Sequence, residues 1–316
     1  MAKRVAVDRP NRAASRRGVK HAQRRQDHAG RSRSLIPERS GAASGAGDGL
    51  YQDPLIYDIL HEPGTPLEVR SLATIWRRVA EGSPRTVLEP ACGTGRYLER
   101  FADAGWKCLG FDIDPAMVRF ASARLPQDGS RVWRGRLDNF GSRVGPGSVG
   151  LAFCPINSIR HVESDGEMVR HLKAIRRVLA PSGVYAVGIS LSAYGLEAPT
   201  EDVWSGKRGS VHVKQVVSYT PATGGRSGRG ERVDSVLEIR RGRRIQVRSS
   251  TYSLFSYSRA QWERVIARSG LRAIGMVNEY ASGFDPGRIG YAIWLLARPD
   301  HPLAFKRSVR GSRRSG

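Results

Sequence analysis

The chain has 316 residues, 40% of them hydrophobic, with 52 Lys and Arg against 29 Asp and Glu for a formal net charge of +23. That length suits one large α/β domain or a domain with an insertion. No apolar run approaches the roughly 18 residues of a membrane-spanning helix, and Cys92, Cys108 and Cys154 are too dispersed for a disulfide framework or a zinc cluster, so no metal site is expected.

Residues 1–48 carry twelve Lys and Arg against four acids (Asp8, Asp27, Glu38, Asp48) and almost no large apolar side chain. Such a segment cannot offset its ordering entropy by burial and reads as a disordered basic arm. Lys306, Arg307, Arg310, Arg313 and Arg314 make residues 301–316 a second basic tail. The tails read either as anchors giving weak nucleic-acid association or as solvated segments that bind nothing specific. An organelle transit peptide is a third reading, without a clear amphipathic stripe to support it. With no signal-peptide pattern, the expected location is cytoplasmic.

Organised sequence begins near Leu50. Leu55, Ile56, Ile59 and Leu60 predict a short helix ended by Pro63-Gly64, and Leu67, Leu72, Ile75, Trp76 and Val79 a second one. Strand and helix patterns then alternate. Strands are predicted at Thr86–Leu88, Lys107–Phe111, Val132–Trp133, Val149–Phe153 and Val184–Ile189, with helices at Arg96–Ala104, Pro115–Arg124 and Glu167–Leu179. Asp114 is placed to cap the helix that starts at Pro115. Repeated strand–helix–strand units argue for a parallel sheet covered on both faces. Between 191 and 256 the pattern changes to strands at Val211–Thr220, Arg232–Ile239 and Ile245–Phe255, without helices between them, which predicts an antiparallel insertion. A helix at Arg259–Ser269 and strands at Leu271–Asn278 and Ile289–Ala297 follow.

The most informative stretch is Leu88-Glu89-Pro90-Ala91-Cys92-Gly93-Thr94-Gly95, between the first strand and the helix that follows it. Leu98 stands where a dinucleotide fingerprint has its third glycine, and no Gly-Lys-Ser/Thr follows, so neither a dinucleotide loop nor a P-loop is indicated. Glu89 suits a ligand with an ammonium group better than one with phosphate. Asp112, at the end of the second strand, can accept hydrogen bonds from both hydroxyls of a ribose. A ribose, an amino acid part and no phosphate together describe S-adenosyl-L-methionine.

On these residues, and on Gly110-Phe111-Asp112-Ile113-Asp114, the chain from about Tyr51 to Pro299 resembles the class I S-adenosylmethionine-dependent methyltransferases. The resemblance implies a Rossmann-like, seven-stranded, mostly parallel sheet, here with an antiparallel β insertion before the last helix and strands. It implies that Glu89, Ala91, Cys92, Gly93, Thr94, Gly95, Asp112 and Ile113 border the cofactor. The sequence departs from the family after the third strand, where Arg136 stands at the usual adenine-binding Asp. Either Asp138 substitutes, or the backbone at Leu137 and apolar contacts hold the adenine.

After the fourth strand, Cys154-Pro155-Ile156-Asn157-Ser158-Ile159-Arg160-His161 resembles the fourth motif of small-molecule members. Asn157 and His161 become the catalytic candidates, His161 as general base or as a structural histidine. Cys154 borders the cofactor or is simply a buried small residue. Tyr57 lies on a helix that in similar enzymes folds over the cofactor, where its ring could face the sulfonium. The expected activity is in-line methyl transfer to a small-molecule acceptor by a monomer or homodimer. Alternatives are an RNA or protein methyltransferase anchored by the basic tails and a non-catalytic S-adenosylmethionine-binding protein.

Overall fold

The computed structural model describes residues 49–126, 128–225, 228–285 and 290–303. The basic arm over 1–48 and the tail from 304 lie outside the described residues.

A short helix α1 (Pro54–His61) opens the domain, with Asp53 accepting from the Ile56 amide at 3.3 Å and Pro54 in its first turn. Helix α2 (Thr65–Val79) follows. Then come β1 (Thr86–Pro90), α3 (Arg96–Asp103), β2 (Lys107–Asp112), α4 (Pro115–Ser122), β3 (Arg131–Arg134), β4 (Val149–Cys154), α5 (Asp165–Val178) and β5 (Leu179–Leu191). Asp114 caps α4 as expected, accepting from the amides of Ala116 and Met117. After the insertion, α6 (Arg259–Ser269) starts at a capping box of Ser258 and Gln261, and β10 (Arg272–Val277) and β11 (Gly290–Ala297) end the domain.

The main sheet has the order β10-β11-β5-β4-β1-β2-β3, with β11 antiparallel to both neighbours. The chain grows outward from β1 to β3, then returns to place β4 on the other side of β1. Strand order therefore reverses between β1 and β4, and the crevice at the carboxyl ends of these strands is the place for a ligand. Every residue of β4 is buried, as expected for a parallel strand covered on both faces. Alternation sends Leu88, Phe111, Ala152 and Cys154 to a core shared with α5 and α6. Val87, Cys108, Leu151 and Phe153 go to a second core shared with α2 and α3.

The insertion is a separate four-stranded antiparallel sheet of β6 (Thr200–Arg208), β7 (Val211–Thr220), β8 (Gly230–Arg241) and β9 (Arg244–Phe255). Three of these strands match the sequence reading. The fourth, β6, is an edge strand containing Glu201, Asp202, Ser205 and Gly206, residue types depleted in strands, and no residue in it is fully buried. Its pairing with β7 rests on ladder register rather than apolar content. The inner face of the insertion packs Val213, Leu237 and Ile239 against Ile56, Ile59 and Leu60 of α1. No described helix is long and apolar enough to cross a membrane.

Under the sheet edge, buried His171 bridges the carbonyl of Leu137 through Nδ1 (2.8 Å) and the hydroxyl of Tyr185 through Nε2 (2.9 Å). The carbonyl can only accept, so Nδ1 carries the proton and Nε2 accepts from Tyr185 in the neutral ring. Burial pushes the imidazole down from 6.5 to about 4. The unfolded chain therefore takes up a proton near pH 6.5 that the folded chain refuses until about pH 4, and stability falls as pH drops through that window. Urea titrations of His171→Gln should show a shallower loss of stability between those limits than the parent chain; an unchanged slope counts against this assignment.

Candidate cofactor and acceptor site

The turn after β1 is built by backbone conformations that side chains disfavour. Ala91, Gly93 and Gly95 all have positive φ (52°, 51° and 71°). The turn is tied to β2 by the Cys92 amide, which donates to the Phe111 carbonyl at 3.0 Å, and is closed by Gly95 donating to the Cys92 carbonyl at 2.9 Å. Asp112 braces it from the next strand. One carboxylate oxygen accepts from the Gly93 amide at 2.8 Å and the other from the Asp114 amide at 2.9 Å. A carboxylate oxygen has two lone-pair sites, so each keeps one for a further donor such as a ribose hydroxyl. Burial raises the Asp112 carboxyl above its ordinary value, against the pull of those amides. Ile113, beside it, is exposed.

Glu89 ends β1 with only 3% of its surface exposed, and its Oε2 has no hydrogen-bond partner among the described residues. Burial pushes its carboxyl well up, partly countered by the charge of Arg96. An unpartnered buried acceptor is costly, and a ligand ammonium would satisfy it. The residues present thus fit S-adenosylmethionine at both ends where the sequence places it.

Helix α1 lies directly over this turn. A Cβ on Gly93 would stand 3.3 Å from Cε1 of Tyr57, so the ring covers the glycine and only a residue without a side chain fits beneath it. Gly93, Thr94 and Gly95 are buried. Below them, Arg96 is nearly buried and donates to Thr65 Oγ1 (2.5 Å) and Glu68 Oε2 (3.0 Å). This cation, which the sequence reading did not single out, is the positive charge nearest the acidic pocket. Cys92 and Cys154 are both buried and burial pushes both thiols up; Cys154 belongs to the core shared with α5.

On the adenine side, Asp138 lies near the Leu137 carbonyl that His171 holds. Its two oxygens accept from Arg136 (3.2 Å) and Arg170 (3.0 Å). Burial raises its carboxyl, but the two guanidiniums outweigh burial and leave it below the usual range. Arg136, the residue that replaces the family's acid, therefore restrains the neighbouring acid.

After β4, Asn157, a catalytic candidate of the sequence, has a left-handed backbone (φ 62°). Its amide nitrogen donates to Ser190 Oγ (3.1 Å) and its oxygen accepts from the Ser190 amide (2.6 Å), stapling the turn after β4 to the end of β5. His161 closes the short 3-10 turn that follows. Its ring packs edge-on against Tyr51 and stacks near Tyr252, both at 5.8 Å between centroids, while the residue keeps an exposed edge. The row continues through Tyr57 (5.9 Å from Tyr51), His61 and Trp204. Tyr51, His61, Trp204 and Tyr252 escaped the sequence reading because they come from three distant segments. Their one sequence signal is aromatic content in otherwise polar surroundings.

Two substitutions test the carboxylates. Asp112→Ala removes charge-assisted bonds contributing about 1.5–3 kcal/mol, so affinity for S-adenosylmethionine should fall roughly ten- to a hundredfold by calorimetry; unchanged affinity rejects the assignment. Glu89→Gln should weaken ligand binding yet stabilise the ligand-free chain at neutral pH. A carboxyl with a raised folded-state value loses stability as pH rises from its unfolded value towards the folded one, and the amide escapes that loss. The melting-temperature gap between variant and parent should close near pH 4; a variant less stable than the parent at pH 7 contradicts the reading.

Residues 87–183 match the family model described as a methyltransferase domain. The chain is 27% identical over 138 residues to a dTDP-3-amino-3,6-dideoxy-alpha-D-glucopyranose N,N-dimethyltransferase of Streptomyces fradiae, covering 42% of this chain and 51% of that protein. The chain thus spans about half the length of the curated relative it matches. Among solved structures, the sugar N-methyltransferase KedS8 of Streptoalloteichus superposes with a TM-score of 0.61 at 18% identity, covering 84% of this chain and 99% of that one. CalS10, an amino pentose methyltransferase of Micromonospora echinaspora solved with S-adenosylmethionine bound, gives 0.56 at 21% identity, covering 80% and 99%. At those identities the structures speak for the fold. The domain match falls on the turn, both carboxylates and the four strands around the crevice, so residues 87–183 carry a methyltransferase domain, which supports the resemblance of the chain to the class I S-adenosylmethionine-dependent methyltransferases.

Proposed function

We propose that this chain transfers a methyl group from S-adenosylmethionine to a small-molecule acceptor, with a sugar-borne amine as the acceptor class. The observation that carries the reading is the pair of carboxylates, buried Glu89 and half-buried Asp112, flanking one glycine turn inside the matched domain. The amine is supported by the Streptomyces fradiae relative, whose name specifies an amino sugar.

Bound S-adenosylmethionine supplies a methyl group already activated on a sulfonium, so the protein's main task is alignment, worth roughly 7–11 kcal/mol of barrier. Glu89 would hold the amino acid ammonium and Asp112 the ribose hydroxyls, with the amides of the 91–95 turn alongside. Ile113, Leu137 and Asp138 would border the adenine, with Cys154 beneath. Tyr57 would shield the reacting centre from water and offer an electron-rich face to a cation. Asn157 holds the acceptor-side turn by its Ser190 staple. An amine acceptor sheds a proton, and His161 is the group placed to take it.

Partial desolvation beside the Tyr51 and Tyr252 rings, then the charge of Arg160, hold the imidazole of His161, an otherwise exposed residue, below its ordinary 6.5. It is therefore neutral, and able to accept a proton, at physiological pH. His161→Asn should lower kcat by about a hundredfold or more with little change in cofactor affinity. The acid limb of the parent pH profile should lie below pH 6.5. A variant with parental kcat would leave His161 a packing residue.

The deciding assay incubates the full chain with S-adenosylmethionine and dTDP-3-amino-3,6-dideoxyglucose and reads added methyl groups by mass spectrometry. Retention of the cofactor with no methylation of any amino sugar tested overturns the acceptor class. The domain is proposed to span 49–300, with the basic segments as polyelectrolyte arms. The RNA or protein alternative rests on those arms alone, and salt-dependent RNA binding lost on trimming 1–48 would favour it.

A further inference from the structure

Asp58 is an acid the reaction does not use, yet it is fully buried and makes three strong contacts. Its Oδ1 accepts from Thr94 Oγ1 at 2.8 Å. Its Oδ2 accepts from Arg124 Nη2 and from Arg208 Nη2, each at 2.6 Å. Thr94 belongs to the cofactor turn, Arg124 follows α4, and Arg208 ends β6 of the insertion. Four segments distant in sequence thus meet on one carboxylate. Burial alone would raise its carboxyl, but the bonds from Arg124, Arg208 and Thr94 outweigh burial and keep it ionised.

The position of this junction matters. Ladder register sets Arg208, Val211, Arg241 and Arg244 in one row at the far end of the insertion sheet. The near end, where the chain enters and leaves the sheet, is fixed separately. There Arg160 donates to the Phe255 carbonyl and Ser256 Oγ and pairs with Glu231 at 2.9 Å, and Arg229 pairs with Asp165 at 2.9 Å. Helix α1 is fused to the sheet by apolar contact. A Cβ on Gly206 would fall 2.1 Å from the Ile59 carbonyl oxygen, so the helix lies directly against β6. Helix and sheet form one cap, anchored at the near end and held at the far end by Asp58. The other tie on that side, Arg100 to Glu62 at 2.8 Å, is partly exposed and contributes little.

The cap covers what a cofactor must reach. Glu89 and the Gly93–Gly95 turn are buried beneath α1. A ligand bound by them would lie against α1, so movement of α1 would widen its path in and out. We propose that Asp58 is a positioning residue that latches the α1–insertion cap onto the cofactor turn and thereby sets the rate at which S-adenosylmethionine and its demethylated product exchange. The proposal rests on the methyltransferase reading for its ligand, but not for the latch itself.

Weakening a latch leaves a recognisable signature. Loss of a direct contact raises only the dissociation rate, whereas a cap that opens more often raises association and dissociation together. Arg208→Met is the main test, because Arg208 is 43% exposed and its removal leaves Asp58 paired with Arg124 and Thr94. Asp58→Asn is the second, and Arg208→Lys the conservative rescue. Stopped-flow fluorescence with S-adenosylhomocysteine should show both rate constants of Arg208→Met raised by about three- to tenfold, with the dissociation constant changing less than either rate. Arg208→Lys should lie nearer the parent. Unchanged rates, or a rise in dissociation alone, overturn the latch. Deuterium exchange on the ligand-free chain separates the two readings. Failure of the parent to bind the ligand sinks the methyltransferase function, while faster exchange of the α1 amides in Arg208→Met still supports the latch and parental exchange refutes it.

Discussion

The structure depends on one topological constraint: the reversal of strand order between β1 and β4. A parallel strand buried on both faces has nowhere to place a polar group except at its ends. Both acids of the cofactor pocket sit there, Glu89 at the end of β1 and Asp112 at the end of β2, one strand apart in register with Gly110 and Arg134 beside them. The reversal opens a crevice at that edge, and the tight turn after β1, tied to β2 through the Cys92 and Gly93 amides, borders it. Moving either acid one residue along its strand would turn it into a hydrophobic core, because alternate positions feed opposite layers.

The acids are held at a cost to stability. Asp112 is offset by two backbone amides, whereas among the described residues Glu89 keeps an oxygen unpartnered, with the charge of Arg96 partly countering its burial. Such a site is built to gain from a cationic ligand rather than to stabilise the empty fold. Arg96 serves both sides of the turn: it secures Thr65 and Glu68 of α2, and its charge offsets the acids above it. The helix that covers the turn is then secured by a second acid, Asp58, whose partners are complete. The two buried acids of β1 and α1 therefore do opposite work, one left open to a ligand and one closed on the protein.

How legible this was in sequence followed the range of the interactions. The turn, its carboxylates and the Asp114 cap are local, so residue type and spacing disclose them, and the mostly parallel sheet follows from strand–helix alternation. Strand β6 was not visible, because Glu201, Asp202, Ser205 and Gly206 dilute the β propensity of Thr200, Val203 and Trp204, leaving no apolar alternation, and its pairing is with β7. The role of Asp58 was equally hidden: its partners lie 36, 66 and 150 residues away. Asn157 and Asp138 stood out by motif, but their present hydrogen bonds to Ser190, Arg136 and Arg170 depend on side chains that no spacing rule relates.

The same distinction divides the site by function. Residues 87–183 carry the cofactor half and match the general domain model. The aromatic row beside it takes His161 from that stretch but Tyr51 from before it and Tyr252 from the insertion after it. The insertion leaves the main sheet where β5 reaches the carboxyl edge, the edge at which Glu89 and Asp112 lie. Variation in that segment can change what faces this edge while leaving Glu89, Asp112 and the glycine turn untouched. One cofactor chemistry can thereby serve many acceptors on one sheet, and in this chain the insertion adds the ring of Tyr252 to those of Tyr51 and His161 beside the turn after β4.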